Sequence, residues 1–474
     1  MSFWNRRKSL DAVQHIESSR QLKRTLSWPH LVALGVGAIV GTGIYTLIGV
    51  GAGIAGPAVI LSFVIAGVVS ACAALAYAEM ASLMPAAGSA YTYTYTVMGE
   101  FLAWIVGWSL ILEYSVVCSA VAVGWSGYAT GFLQSGGITL PTALSAGAFA
   151  GGALNLPAIV IILVVAGMLI AGTRESATIN AVLVVFKILA LILFIVLGLS
   201  AFHSRNFTPF MPYGFTSTVG DAKLGVAQAA SIIFFAFYGF DAVSTAVEEA
   251  RNPKRDITLG IVGSMIACTI LYMAVAVAAL GAMPFTDFAQ SSEPLAHILR
   301  TLGHPVAATA IAAAAVIALP TVILAFMYGQ SRIFFVMARD GLLPERLGSV
   351  NPRTGTPVAM TLFTAVVVSV VAGLFPLADI AAVANAGTLC AFIAVALSML
   401  ILRARQPSLT RVFKTPIAWV LGPLAIVGCI YLFWHLQPRT RYYFFIWNAL
   451  GIVVYFLFSV RNSRLARADV ASSH

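Results

Sequence analysis

Residues 34–45 read LGVGAIVGTGIY and place four glycines and one threonine in the middle of an apolar run. The spacing of Gly37 and Gly41 suits close packing of one transmembrane helix on another. The triplet Gly41-Thr42-Gly43, however, sets two glycines around a hydroxyl residue, and glycine tolerates the backbone angles at which a helix unwinds. The stretch therefore predicts a membrane-spanning helix that is broken near Gly41.

A second candidate break lies about five apolar runs later, where residues 231–241 read SIIFFAFYGFD. Gly239 interrupts this run, and Asp241 follows two residues later. Discontinuous helices at corresponding positions in two halves of a chain are typical of inverted repeats. A broken helix offers free N–H groups to a carboxylate and free carbonyls to an ammonium group. The two breaks therefore predict a binding site for a zwitterion such as an α-amino acid.

The composition is that of a membrane protein. Of 474 residues, 60% are hydrophobic and 9% are charged, and the mean hydropathy is +0.94, whereas a soluble protein carries about 25% charged residues. The net charge of +10 comes from Lys and Arg in short loops, which argues against binding to nucleic acid. The five cysteines lie in apolar runs without paired spacing and are interpreted as buried hydrophobic residues. We expect no metal and no cofactor.

Twelve apolar runs are each long enough to cross a bilayer, which takes about 20 residues. Backbone groups in lipid must satisfy one another, so these runs are predicted to be α-helices. The predicted spans are residues 31–54, 57–83, 99–130, 156–173, 178–202, 225–249, 257–282, 303–336, 357–375, 379–402, 417–435 and 443–460. The predicted fold class is thus an all-α membrane protein with twelve transmembrane helices.

The distribution of basic residues predicts the orientation. With twelve spans, 21 of the 27 Lys and Arg residues lie on the side of the two termini, five lie on the other side, and Lys187 lies within a span. Basic loops stay in the cytoplasm. We therefore expect both termini to be cytoplasmic and the chain to lie in the cell membrane, meaning the plasma or inner membrane.

Three segments resemble a known family of transporters. Residues 37–45 (GAIVGTGIY) resemble the first-helix signature of the amino acid–polyamine–organocation (APC) superfamily. Residues 235–254 (FAFYGFDAVSTAVEEARNPK) resemble the sixth-helix signature of its cationic amino acid transporter family. Residues 328–332 (YGQSR) and 337–344 (MARDGLLP) resemble the loop after that family's eighth helix. The likeness runs from about residue 25 to about residue 460.

The resemblance implies a LeuT-type fold, in which helices 1–5 and 6–10 form inverted repeats and two helices follow. The implied units are a cytoplasmic tail at 1–27, a transport core at 28–402 with repeats at about 28–203 and 224–402, two additional helices at 403–460, and a cytoplasmic tail at 461–474. It also implies a substrate held at both breaks. The substrate-binding residues expected on this basis are Ile39, Gly41, Thr42, Gly43, Phe235, Ala236, Gly239 and Phe326.

Two of these positions have a role implied by the family. Phe235 matches the aromatic residue that covers the substrate in the occluded state. Phe326, six residues before Arg332, matches by spacing a pocket position on the eighth helix. From the residues alone, both aromatics are equally typical of packing.

Ionisable residues inside the membrane are costly and need a partner or a function. Burial disfavours the charged form of Lys187, so this lysine is a candidate for proton exchange or for a fixed cation that holds the first helix near Gly35 and Val36. By resemblance, it fills the position of sodium in related symporters. Glu113 and Asp241 are predicted either to take part in proton coupling or to brace the broken sixth helix. Glu79, near the end of a span, is expected to be structural.

The resulting prediction is secondary active transport of L-amino acids, coupled to protons, by alternating access. Neutral amino acids of small to medium size are favoured over cationic ones, since Phe326 would make the pocket apolar. A sodium-coupled symporter and an obligate exchanger remain alternatives. A membrane enzyme is a distant one, because no nucleophile has a credible base and no metal-ligand spacing is evident.

Overall fold

The computed structural model describes residues 6–10, 26–84, 88–171, 177–220, 222–245, 250–344, 347 and 357–467. Of the two predicted tails, residues 6–10, 26–27 and 461–467 fall within this range. The rest of both tails lies outside the described residues, as do most positions of the loop predicted at 337–357 beyond residue 344.

Helices make up the first half of the structure. Three short 3₁₀ turns, at Gly56–Ala58, Ala148–Ala150 and Ser204–Phe207, join or follow them. The helices are α1 (Trp28–Ile39), α2 (Thr42–Tyr45), α3 (Leu47–Ala55), α4 (Val59–Leu83), α5 (Ser89–Val97), α6 (Glu100–Ser135), α7 (Thr142–Ser145), α8 (Leu156–Ile170) and α9 (Ala177–Ser200).

The second half opens with a small antiparallel hairpin in which Thr218 pairs with Lys223. Helices follow it, with a 3₁₀ turn at Phe234–Ala236 and a π turn at Tyr455–Ser459. The elements are β1 (Ser217–Val219), β2 (Ala222–Leu224), α10 (Val226–Ile233), α11 (Phe240–Thr245), α12 (Pro253–Ala282), α13 (Phe285–Phe288), α14 (Pro294–Thr301), α15 (Pro305–Arg339), α16 (Val358–Leu374), α17 (Leu377–Arg405), α18 (Ala418–His435), α19 (Pro438–Val454) and α20 (Val460–Asn462).

Nine helical stretches in the described part of the chain are long and apolar enough to cross a membrane. They are Leu47–Leu83, Glu100–Ser135, Ala181–Ser200, Val226–Ser244, Arg255–Ala282, Pro305–Arg339, Leu377–Arg405, Ala418–His435 and Pro438–Arg467. Shorter apolar helices, α1, α8 and α16, lie at the remaining predicted spans. The chain is therefore an all-helical, multi-pass membrane protein, as its composition predicts.

The stretch Leu47–Leu83 contains the end of one predicted span and the whole of the next. Gly56 has φ +66°, a backbone angle that favours glycine. A methyl group added at Gly51 would lie 2.9 Å from Cγ2 of Val59, eight residues later. Eight residues of a straight helix span about 12 Å, so the chain folds back on itself at Gly56, between the two predicted spans.

Burial separates a central group of helices from a peripheral one. In the apolar window of Val226–Ser244, which contains the second predicted break, 94% of residues are buried; in Pro438–Arg467 the share is 22%. Helices α6 and α15 pack along each other, and Trp125 of α6 donates to the carbonyl of Val316 at 2.8 Å. The broken segments thus lie in the middle of the bundle, and the last two helices expose apolar side chains of the kind that suit lipid.

Ion pairs fasten one end of the bundle. Arg6 lies 3.4 Å from Glu100, at the start of α6. Lys8 pairs with Asp340, just after α15, and the hydroxyl of Tyr91 donates to the same carboxylate at 2.7 Å. The described part of the N-terminal tail is therefore tied to the ends of α6 and α15.

Candidate functional site

The first predicted break is present in the structure. Helix α1 ends at Ile39 and α2 begins at Thr42, while Val40 and Gly41 have extended backbone angles. Within the described residues, the N–H groups of Gly41, Thr42 and Gly43 donate to no backbone or side-chain acceptor. Three donors and the positive end of a helix therefore converge on one point inside the bundle.

The second break is present as well, and it crosses the first. Three residues separate the 3₁₀ turn Phe234–Ala236 from α11, and the last of them, Gly239, has φ +116°. A Cβ added at Gly239 would lie 2.9 Å from the carbonyl oxygen of Ala38, and one added at Gly43 would overlap the Cα of Ala236. The two breaks thus meet backbone against backbone, an approach that only glycine permits at these two points.

A small cavity lies beside this crossing. Six of the eight predicted substrate-binding residues line it, from both breaks and from α15: Ile39, Gly41, Thr42, Gly43, Phe235 and Phe326. Five further residues complete its wall: Ala38, Val117, Val121, Tyr238 and Val322. The cavity is thus lined by the two broken segments together with α6 and α15.

Ala236 and Gly239, the other two predicted residues, do not contribute to the wall. Their backbones pack against Gly43 and Ala38, where they set the crossing. They affect the cavity indirectly, because their contacts with the first broken segment fix how closely the two segments approach each other.

Three of the five wall residues that sequence reasoning missed show a faint helical signal. Val117 and Val121 are one turn apart on α6, and Val322 precedes Phe326 by one turn on α15. Residues four apart lie on the same helix face, so Val322 could have been found from Phe326. Valines are common in any transmembrane helix, so this spacing alone carries little weight.

The wall is mostly apolar. Phe326 packs on Tyr114, with ring centroids 5.2 Å apart, and edge-on to Tyr238 at 6.4 Å. Among the described side chains of the wall, the polar ones belong to Thr42 and Tyr238. The Thr42 hydroxyl donates to the carbonyl of Val121 at 3.4 Å. None of the eleven described wall residues carries a charged side chain.

Lys187 reaches the end of α1 from α9. Its ammonium donates to the carbonyl of Gly37 at 3.0 Å and to the hydroxyl of Thr321 at 3.3 Å, and the side chain is 1% exposed. The expected partners were the carbonyls near Gly35 and Val36. The contact falls on Gly37 because the Val36 carbonyl already accepts the N–H of Val40 at the end of the helix.

The two predicted acids lie next to the cavity and outside its wall. Asp241 accepts the hydroxyl of Tyr114 at 2.9 Å and the N–H of Gly239 at 3.1 Å, so it braces the second break. Glu113 is 1% exposed, and neither carboxylate oxygen accepts a hydrogen bond from the described residues. The neighbouring hydroxyl of Thr388 donates to the carbonyl of Ala384.

Comparisons with known proteins agree on one family. The family model described as amino acid permease matches residues 26–458. The chain is 43% identical to the branched-chain amino acid permease of Bacillus subtilis, over 97% of this chain and 98% of that one. It is 39% identical to the methylthioribose transporter of the same organism, over 98% and 100% of the two chains. The vacuolar cationic amino acid transporter 2 of Arabidopsis thaliana is 37% identical, over 85% and 63%.

These matches confirm the resemblance to the APC superfamily that the three sequence signatures indicate. They extend over nearly the whole chain, from the first break to the last helices. The chain belongs to the amino acid permease family, a family of transporters and not of enzymes.

Proposed function

We propose that the chain is a secondary active transporter of neutral L-amino acids of small to medium size, driven by protons. The observation that carries this proposal is the junction of two broken helices beside a small cavity, with a buried lysine that holds one of these helices. The substrate binds at the crossing, and the helices around it alternate between outward- and inward-facing states.

Backbone groups supply the recognition of the zwitterion. The free N–H groups of Gly41, Thr42 and Gly43 suit a carboxylate, and the N-terminal end of a helix adds a favourable electrostatic field. The α-ammonium group binds to carbonyls at the broken ends of α1 and the second segment. Both sets of groups are fixed by the glycine-mediated crossing, so little ordering is required when substrate binds.

The wall favours neutral side chains. Val117, Val121, Val322 and Phe326 would surround the substrate side chain with apolar atoms. A guanidinium or ammonium group buried there would lack a carboxylate partner, and burying an unpaired charge is strongly unfavourable. The relatives are named for branched-chain amino acids, for cationic amino acids and for methylthioribose. The wall supports the first of these three substrate classes.

Lys187 is proposed to couple substrate transport to protons. When protonated, its ammonium holds the end of α1 through the carbonyl of Gly37. Loss of the proton releases this contact and lets α1 move, so that proton and substrate bias the same two states. Glu113 and Asp241 are proposed to take part. The Glu113 carboxylate accepts no hydrogen bond from the described residues, and the Asp241 carboxylate braces the second break. A fixed ammonium would repel sodium at this position, which disfavours the sodium-coupled alternative.

The architecture proposed to support this cycle is the LeuT-type arrangement of twelve spans. Repeats at about 28–203 and 224–402 form the core, and the two helices within 403–460 lie outside it. The tails 1–27 and 461–474 are proposed to be cytoplasmic, with the protein in the plasma membrane. The exposed apolar faces of α18 and α19 support a peripheral position for the last two helices.

Uptake into proteoliposomes tests the proposal. Labelled L-valine, L-leucine, L-arginine and methylthioribose are supplied with an inward pH gradient, an inward sodium gradient or neither. We expect L-valine or L-leucine to accumulate with the pH gradient and to ignore sodium. In Lys187→Ala, accumulation should be lost while exchange of internal for external substrate persists. Lys223→Ala, an exposed lysine of β2, is the matched control and should behave as wild type.

Two results would contradict this scheme. Strong sodium-driven uptake, or an intact pH response in Lys187→Ala, would leave the lysine as a structural brace. Uptake of methylthioribose or L-arginine without any neutral amino acid would overturn the substrate class.

A further inference from the structure

Tyr238 differs from the other wall residues because its buried hydroxyl has no hydrogen-bond partner in the described part of the chain. The side chain is 3% exposed, and the oxygen is buried without a hydrogen bond to any described residue. Its ring is held on two sides, by Phe235 at 4.9 Å and Phe326 at 6.4 Å between centroids, both edge-on. A buried hydroxyl without a partner is destabilising, and folded proteins rarely keep one that has no function.

The hydroxyl belongs to the second break, whereas the free N–H groups belong to the first. The ionisable groups that act on it electrostatically are Glu113, Asp241 and Cys118. Two of these belong to the part of α6 that leads up to Val121, the level at which the first break contacts α6 through Thr42. If the carboxylate of a substrate occupies the first break, the rest of the wall, which includes Tyr238, is left for the substrate side chain.

We propose that the Tyr238 hydroxyl is the specificity-determining hydrogen-bonding group of the side-chain subsite. It favours side chains that carry an uncharged polar atom, such as L-threonine, over aliphatic isosteres such as L-valine. This inference rests on the proposed amino-acid transport. The other wall side chains are apolar except that of Thr42, whose hydroxyl donates to the carbonyl of Val121. Apolar groups cannot distinguish two side chains of equal shape, whereas a buried hydroxyl is paired by a substrate hydroxyl and left unpaired by a methyl group.

The test compares two single hydroxyl deletions. Tyr238→Phe removes the proposed donor and keeps the ring. Tyr93→Phe is the matched control, because the Tyr93 hydroxyl is also buried and makes no hydrogen bond within the geometric limits to a described residue, but lies outside the cavity wall. For each protein, KM is measured for proteoliposome uptake of L-threonine and of L-valine, and thermal unfolding is followed with and without each amino acid.

We expect Tyr238→Phe to lower the preference for L-threonine over L-valine about three- to tenfold, the effect of one hydrogen bond. Most of the change should be a higher KM for L-threonine. Unfolding of the substrate-free protein should shift to equal or higher temperature in both variants, since each loses an unpaired hydroxyl. Tyr93→Phe should keep the wild-type ratio.

An unchanged ratio in Tyr238→Phe, with normal wild-type uptake, would overturn the subsite and leave the proposed function intact. An equal loss for both amino acids would also overturn it, because the hydroxyl would then bind a group common to all substrates. Absence of uptake of any amino acid by the wild type would overturn the proposed function itself, and the subsite with it.

Discussion

Glu79 accepts two hydrogen bonds from the guanidinium of Arg403, at 2.9 and 2.6 Å, although 324 residues separate them in the chain. Glu79 is 1% exposed, lies 3.2 Å from Arg411 and accepts the N–H of Thr415. One carboxylate therefore joins the end of α4 to α17 and to the segment before α18. These contacts agree with the structural role expected for Glu79. Three segments are held together by this one carboxylate.

Glu79→Gln should destabilise the protein by about 3–5 kcal/mol, because removing one partner of a buried ion pair leaves the other charges uncompensated. Thermal unfolding in detergent measures the effect. Asp287→Asn, which neutralises an exposed carboxylate of α13, is the matched control and should change stability by less than about 0.5 kcal/mol. Equal stability of the two variants would show that the network around Glu79 contributes little.

The two glycines of the first break should respond differently to a methyl group. In Gly43→Ala, the methyl would overlap the backbone of Ala236, so we expect loss of both folding yield and transport. In Gly41→Ala, the nearest atom is Cγ2 of Val322, at an ordinary 3.5 Å, so the protein should fold. Because this methyl enters the cavity, uptake of L-leucine should fall more than uptake of L-alanine.

Fluorescence-detected size-exclusion chromatography and uptake separate folding from transport in these variants. A well-folded and fully active Gly43→Ala protein would show that the two breaks do not cross as closely as the structure has them. Unchanged selectivity in Gly41→Ala would place its side chain outside the substrate path.

Phe326 sets the depth of the cavity, since it separates the wall from Tyr114. Phe326→Ser should admit longer substrates such as L-arginine and still transport small ones, because the vacated volume leads towards Tyr114 and Asp241. Phe326→Leu keeps most of the volume and should retain the wild-type range. Competition of labelled L-valine uptake by a panel of amino acids measures the range, and identical panels for Phe326→Ser and wild type would place this residue outside the pocket.

Accessibility labelling tests the orientation. Cysteines at Ser9 and Arg464, both exposed, should react from the cytoplasmic side alone, and a cysteine at Thr218 in the hairpin should react from outside. Labelling of the native cysteines should be weak, because four of the five are buried. Labelling of Ser9→Cys in intact cells by an impermeant reagent would invert the proposed topology.

The sequence predicts features that depend on local chemistry. The apolar runs locate the helices, and glycines beside polar residues locate both breaks, because backbone freedom is a property of the residue itself. Features that depend on how distant segments meet are harder to predict. Nothing local distinguishes Val117 or Val322 from a packing valine, and Tyr238 is a wall residue only because Phe235 and Phe326 hold its ring. The lysine contact was displaced by one residue because a single capping hydrogen bond decides which carbonyl is free.

The crossing of the two breaks separates two tasks that many binding sites combine. Backbone atoms near Gly41 and Gly239 form the part of the site that would bind the carboxylate and α-ammonium groups, which all α-amino acids share. Most substitutions leave these backbone atoms unchanged. Side chains of α6 and α15 form the part that would contact the substrate side chain, by which amino acids differ. Mutations in the wall can then change the cargo while capture is preserved. After gene duplication, the substrate specificity of such a transporter could change through a few substitutions on two helices, without an inactive intermediate.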